Sequence, residues 1–439
     1  GLVLVVSVSL FCFILYKRLS LFTRFKPDPR TDNIGTRIWR SLVYGILQFR
    51  QPRYLGAGVL HILLVSGFMI LSLRSLTLIG RGFSSDFHLP FLVGPAGFVY
   101  EVIKDYTVLI VLVVCIIAIV RRAVFRPSRY EHPGAKGHSG EAYIILGMVS
   151  ALMITDMIFD GSALKSHPGR EGFQYFPAAN IASWFIDKAG PSTAGFMHIV
   201  GYWSHILVFF GLLNYLPISK HFHVITAIPN VFLSNLRKGQ IKPVRWGVTD
   251  WMELPEIGVG RFEGFTWKHV LDFYSCADCG RCTDNCPANT VGRPLSPKMI
   301  SIKARDHAYQ RYPIFGKAPD SEETDFAGGI ITEDEIWSCT TCGACEQECP
   351  IFIEYIDKIV DMRRYLLDQG RLPQSLQKPM QQIKKKGNAY GGNKAKRGAW
   401  AKELENVQVK ELKPGDSAEY LFFVDSCGSF DPRIQEITK

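Results

Sequence analysis

The sequence contains no G-x-G-x-x-G and no Walker-type loop, so nothing in it argues for a nucleotide bound by this chain. Cysteine is scarce outside two short stretches: of 11 in the chain, only Cys12, Cys115 and Cys427 lie elsewhere. Cys12 and Cys115 sit in apolar runs and read as small buried hydrophobes. That distribution leaves no disulfide framework and suits a reducing compartment. An initiator Met is missing and the first residues are already apolar, so 1–16 read as a span cut short in front and not as a signal peptide. Acid is scarcer than base, with 40 Asp and Glu against 50 Lys and Arg in 439 residues. The basic excess mostly flanks apolar runs, so membrane topology explains it and nucleic acid is not an expected partner.

What the first half does have is apolar runs, at 1–16, 55–79, 98–120, 141–159 and 197–219. Most approach the ~20 residues with which a helix crosses the hydrocarbon core. Their flanks alternate in charge. The loop 17–53 carries nine Lys or Arg, whereas 74–104 carries only Arg74, Arg81 and Lys104. Arg121, Arg122, Arg126 and Arg129 then follow the third run. By the positive-inside rule the first, third and fifth spans run outside to inside. Everything after residue 220 is then expected in the cytoplasm, on the inner face of a bacterial cell membrane.

The fifth run holds most of the informative histidines. His205 and His223 are eighteen residues apart, which on one continuous helix is five turns, or roughly 27 Å at ~1.5 Å per residue. His198 lies on the same stripe. Axial haem ligation needs two imidazoles facing each other at one depth, and His61 on the second span is about two turns from its cytoplasmic start. His61 and His223 are therefore the expected axial ligands of a b-type haem. His205 and His198 have no obvious partner in the outer half; they stand as candidates for a second haem or a quinone pocket. Asp156 and Arg74, near outer span ends, read as interface groups that snorkel. The alternative is that they join His198 and His205 around a quinone and its protons.

The second half opens on "SCADCGRCTDNCP" at 275–287 and repeats the spacing as "SCTTCGACEQECP" at 338–350. Both are C-x-x-C-x-x-C-x-x-x-C-P. Three thiolates of such a loop surround one iron–sulfur cube, and the fourth, before Pro, serves the other cube in two-cluster ferredoxins. One 4Fe–4S cluster is thus expected on Cys276, Cys279, Cys282 and Cys349, the other on Cys339, Cys342, Cys345 and Cys286. Zinc sites use two C-x-x-C pairs instead. "PLSPKMISIKARDHAYQRY" predicts a helix after its Ser-Pro, "ITEDEIWSC" another, and "IEYIDKIVDMRRYLLDQG" a third stopping at Gly370. That makes an α-helical ferredoxin domain. "KKKGNAYGGNKAKRGAW" reads as a basic linker or loop, and "AEYLFFVDSCGSF" as a buried strand ending in a turn at Cys427.

The order of these parts resembles a family of membrane-bound iron–sulfur oxidoreductases related to heterodisulfide reductase, and within it the electron-transfer-flavoprotein:menaquinone oxidoreductase type. "RYLGAGVLH", "PISKHFHV", "FTWKHVLDFYSCADCGRCTDNCP", "IWSCTTCGACEQECPIFIEYIDKIVDMRRYL" and "AEYLFFVDSCGSFDPR" carry the resemblance. It implies a mainly α protein. Residues 1–230 would form a five-helix transmembrane cytochrome b-like bundle similar to the nitrate reductase gamma subunit. Residues 231–375 would form the ferredoxin domain, 376–415 a linker, and 416–439 the start of an α/β CCG domain. His61 and His223 match the family's cytoplasm-proximal haem ligands, and His205 a distal one, although its expected partner position is Leu71. Cys427 would be the first ligand of a non-cubane cluster whose other ligands are absent, so the chain reads as a fragment of a longer enzyme. The implied partners are the lipid membrane, menaquinone as substrate, and a soluble donor such as reduced electron-transfer flavoprotein. A second reading is a non-catalytic membrane anchor and electron wire of a heterodisulfide-reductase-like or sulfite-reduction complex, docking its catalytic partner through the basic 384–397 surface.

Overall fold

The computed structural model describes every residue except 131–137, 167–172, 189–192, 238, 240, 244–249, 255, 319–324 and 406. Among the described residues the chain is helical, with two isolated β-bridges and no strand. It divides into two compact units, Gly1–Tyr365 and Leu366–Lys439, so the membrane-type helices and the cysteine motifs share the first unit.

In chain order the first part of that unit comprises α1 (Leu2–Leu19), α2 (Ile34–Arg40), α3 (Leu55–Arg81), α4 (Gly94–Val120), α5 (His138–Ser166), α6 (Pro177–Lys188), α7 (Thr193–Tyr215) and α8 (His223–Phe232). Helices α1, α3, α4, α5 and α7 are long and apolar enough to cross a membrane, as the five apolar runs predict. They meet through small residues. A Cβ on Gly67 would lie 2.4 Å from Val111 across α3 and α4, and one on Gly201 would lie 2.8 Å from the Phe159 backbone across α7 and α5. Without a hydrophobic drive between helices in lipid, such close approach is what van der Waals packing requires. Val108, Val111 and Cys115 of α4 fill one layer with Leu146 and Met153 of α5. Leu78, Phe159, Ile206 and Phe210 fill another. Cys115 is buried as expected, but Cys12 is exposed on α1.

One expectation fails here. The fifth span does not continue as a single helix to His223. Helix α7 stops at Tyr215 and a 3-10 turn holds Pro217, which has no N–H for the ladder and whose ring crowds the carbonyl four residues before it. Ser219 is extended, with φ −105 and ψ 174, and its hydroxyl accepts from the His221 N–H at 3.1 Å. His223 then opens a new helix, so the five-turn spacing between His205 and His223 does not apply.

The cluster region follows as α9 (Trp267–Ser275), α10 (Arg281–Asp284), α11 (Pro287–Thr290), α12 (Pro297–Arg311), α13 (Glu333–Trp337), α14 (Ala344–Glu348) and α15 (Ile356–Asp368). The predicted stops and starts are visible in the caps. Ser296 caps α12 by accepting from the Met299 N–H, and Thr332 with Glu335 forms a capping box on α13. Gly370, at φ +68, turns the chain after α15.

In the second unit lie α16 (Gln374–Lys386), α17 (Ser426–Phe430) and α18 (Pro432–Thr438). The segment expected as a buried strand before Cys427 is neither buried nor a strand. Tyr420 and Phe423 are 85% and 81% exposed. A strand needs a ladder partner for its N–H and C=O groups, and no strand is present among the described residues to provide one.

Candidate redox centre

Both cysteine motifs fold the same way, which is the backbone reason for their shared spacing. Asp278 and Thr341 have φ +53 and +54, and Gly280 and Gly343 follow at φ +78 and +77. These paired left-handed residues curl each loop back on itself, which brings its first three cysteines close together. The last Cys of each motif leaves the loop at a Pro.

The fourth cysteine of each motif lies among the first three of the other. Cys282 interacts with Cys276, Cys279 and Cys349, and also with Cys345. Cys339 interacts with Cys286 and Cys342, and Cys345 with Cys339 and Cys286. One pocket is lined by Cys286, Cys339, Cys342 and Cys345, with Pro287, Leu295, Pro297, Ile356 and Ile359 among its apolar walls. Burial and then the neighbouring thiols push Cys349 up to about 12 and Cys282 well above the usual thiol range. Thiolates so placed need a cationic centre beside them. N–H groups of Thr341 and Ile353 point at the sulfurs of Cys339 and Cys349, each at 3.3 Å, the kind of bond that steadies sulfur charge on a cluster. The donor set fits iron–sulfur clusters.

Arginines brace the loops. Arg305 forks onto Asp278, with both bonds at 3.0 Å, and donates to the Cys276 carbonyl at 3.0 Å. Arg363 donates to the Cys339 carbonyl at 2.5 Å. Arg50, from the turn that leads into α3, donates to the Cys349 carbonyl at 2.6 Å. No sequence motif marks Arg50, because its partner is a backbone oxygen nearly three hundred residues away.

Of the histidines, His61 lies on α3 and its buried Nδ1 has no hydrogen-bond partner. It is within electrostatic reach of His223. His223 Nδ1 donates to the Lys220 carbonyl at 3.1 Å, which leaves Nε2 with a free lone pair. Asp278 of the first cysteine loop acts on His223 and His221, and the His221 ring lies 5.8 Å from that of His223. His198 and His205 are occupied differently. His198 Nδ1 donates to the Phe159 carbonyl at 3.1 Å and its ring stacks on Phe159 at 4.1 Å. His205 shares a 3.3 Å hydrogen bond with Thr155, and its Nε2 is buried without a partner.

Arg74 and Asp156 do not snorkel. Arg74 is 2% exposed and donates to Asp156 at 2.8 Å and to Asp160. Lys104, 1% exposed, pairs with Asp160, with Glu101 at 3.3 Å and with Asp156 at 3.7 Å. The correction has a simple cause. A charge inside a bundle is retained only with partners, and α3, α4 and α5 each supply one side of this network. Asp156, Arg74 and Asp160 are also the charged neighbours of His205.

The chain has recognisable relatives. Residues 275–352 match the family of 4Fe-4S dicluster domains. The chain is similar to the probable iron-sulfur-binding oxidoreductase FadF of Bacillus subtilis, at 28% identity over 98% of this chain and 65% of that protein. It is similar to the EtfAB:quinone oxidoreductase of Syntrophomonas wolfei, at 28% identity over 99% of this chain and 64% of that protein. A shorter likeness, 26% identity over 23% of this chain and 50% of the other, is to one component of the ferredoxin:CoB-CoM heterodisulfide reductase of Methanosarcina mazei. The chain thus spans about 65% of the length of the first of these relatives and 64% of the second. No solved structure matches. These likenesses place the chain among relatives of membrane iron–sulfur oxidoreductases of the heterodisulfide-reductase type.

Proposed function

We propose that this chain is the membrane and dicluster part of a quinone-linked oxidoreductase, carrying electrons between a soluble donor, reduced electron-transfer flavoprotein, and menaquinone. The crossed cysteine groups would hold two 4Fe–4S clusters, with Cys276, Cys279, Cys282 and Cys349 on one and Cys339, Cys342, Cys345 and Cys286 on the other. His61 and His223 would be the axial ligands of haem b. The clusters and haem supply one-electron chemistry, and the protein supplies position and electrostatics. The observation that carries the reading is the nearness of the two kinds of site: Asp278, inside the first cysteine loop, is within electrostatic reach of His223. The charge flanks of the spans support a cytoplasmic position for both.

His205 and His198 support a quinone pocket better than a second haem. His198 is held against Phe159, and the charged neighbours of His205 are Asp156, Arg74 and Asp160. Cys427, 2.6 Å from the Tyr390 hydroxyl, remains the proposed first ligand of a CCG-type non-cubane cluster. The confined likeness to a heterodisulfide reductase component favours one alternative, a non-catalytic anchor and electron wire for such a complex.

Purified full-length protein should show a low-spin b-type spectrum that menaquinol or reduced flavoprotein alters. Replacing His61 or His223 with Ala should remove it. Haem at full occupancy in both variants would overturn the ligand assignment, and cluster signals indifferent to both reductants would overturn the quinone-linked reading in favour of the anchor.

A further inference from the structure

We infer that the two cysteine groups are the two ends of a polar wire. The group of Cys276, Cys279, Cys282 and Cys349 is the inward terminal, facing the helical bundle. The group of Cys339, Cys342, Cys345 and Cys286 is the outward terminal, where a soluble redox protein delivers electrons. Arg50 is the positioning residue that makes the inward terminal the more oxidising of the two. This rests on the proposal above that each group binds a cluster.

Burial divides the groups first. Cys276, Cys282 and Cys349 are buried, and Cys279 is partly so. In the other group Cys286 is buried, but Cys342 is exposed, Cys339 and Cys345 are partly exposed, and Thr340 and Thr341 beside them face solvent. The walls divide them again. The pocket of the outward group is lined only by residues of the cluster region. The inward group is gripped by the bundle itself. Arg50 donates to the carbonyls of Cys349 at 2.6 Å and Glu346 at 3.4 Å. Arg281, inside the Cys279–Cys282 loop, reaches back to the Arg50 carbonyl at 3.0 Å and to Gln51 at 2.6 Å. Asn230 of α8 donates to the Ile351 carbonyl at 2.9 Å. On the same side, Asp278 acts on Lys220, His221 and His223. Electron tunnelling falls steeply with distance, so the group built into the bundle wall is the one that exchanges electrons with it.

Charge sets the direction. Arg50 is 8% exposed, rests 3.5 Å above the Phe352 ring, and among the described residues has no carboxylate partner. A reduced cluster carries one more negative charge than an oxidised one, so the uncompensated buried Arg50 beside Cys349 favours reduction there. Arg363, which donates to the Cys339 carbonyl, favours it less at the outward group, because it is partly exposed and screened by solvent. One electron enters at the outward group as the soluble donor is oxidised by one. It passes to the inward group, and leaves to a one-electron acceptor on the His61 and His223 side. No bond forms or breaks in this relay.

The test is an EPR redox titration of the full-length protein, with Cys342→Ser used to mark the outward signal. Arg50→Gln should lower the midpoint potential of the other signal only, and Arg50→Lys, which keeps the charge, should restore most of it. An aqueous dysprosium chelate should speed relaxation of the signal that Cys342→Ser alters and spare its neighbour. Equal relaxation of both signals, or a shift confined to the Cys342-dependent one in Arg50→Gln, would overturn the polarity. The chelate measurement compares the two signals in wild-type protein once Cys342→Ser has assigned them, so it decides even if Arg50→Gln does not accumulate. Wild-type protein with no pair of cluster signals would instead sink the cofactor reading on which the inference rests.

Discussion

The buried charges of the bundle and those of the cluster region follow different rules. In the bundle, two cations, Arg74 and Lys104, meet three carboxylates, Glu101, Asp156 and Asp160. In the cluster region, Arg30, Lys242, Lys268 and Lys358 face Asp28, Asp272, Glu354 and Asp357 in a belt where every charge has an opposite. The belt also has a mechanical role. Asp28 and Arg30, just beyond α1, are tied through Glu354 and Lys242 to α15, and Lys268 and Asp272 tie in α9. It fastens cluster loops to the end of the bundle. The bundle network has one carboxylate in excess and joins helices already packed through glycines, so fastening does not account for it. Polar groups that costly in hydrocarbon point to protons or a polar substrate.

Removing one charge from each network separates the two roles. Lys358→Met should be the more damaging. Asp272 is fully buried between Lys268 and Lys358, both at 2.6 Å, and loses half its compensation. A cost of about 3–5 kcal/mol is expected for a broken buried pair, read as thermal loss of the cluster absorbance well below the wild-type temperature. Asp156→Asn should cost at most about 1 kcal/mol, because it keeps an acceptor for Arg74 and leaves the remaining ions balanced. Its effect should appear as slower menaquinone reduction with unchanged cluster signals. Equal loss of stability in both variants would erase the distinction between fastener and working network.

The sequence displays local chemistry well and long-range contacts badly. The cysteine spacing, the caps at Ser296 and Thr332 and the five apolar spans all depend on residues within a few turns of each other, and all appear in the structure. The break at Pro217 is ambiguous in the sequence because a proline can kink a helix or end it, and Ser219 decides for the latter. Arg74 and Asp156 read as span-end charges because their partners lie on other helices. Arg50 carries no signal at all, since its partner is a carbonyl that any residue possesses. The strand before Cys427 fits by composition, but composition does not supply a neighbouring strand.

The smallest effect lies within the belt and concerns pH. Burial, then Lys242, holds the neutral form of His269, pushing its pKa from 6.5 to about 3. The unfolded chain therefore binds a proton below pH 6.5 that the folded chain refuses, and stability falls as pH drops through that window. Asp361 works the other way. Burial, then Asp357, raises its pKa from 3.8 to about 6, so the folded state takes its proton first and gains stability as pH falls from 6 toward 3.8. The carboxylates of Asp28, Asp272, Glu354 and Asp357, held below their usual range by their cationic partners, keep their contribution until the pH falls to about 4. Between pH 6 and about 4 the contributions of His269 and Asp361 thus offset each other. The wild-type unfolding temperature falls with acid there through other imidazoles, including His221 and His307, whose pKa values burial lowers. Asp361→Asn should make it fall more steeply with acid across that window, and His269→Gln should make it fall less steeply. Parallel profiles for the two variants would show that the belt is not the balanced structure its geometry describes.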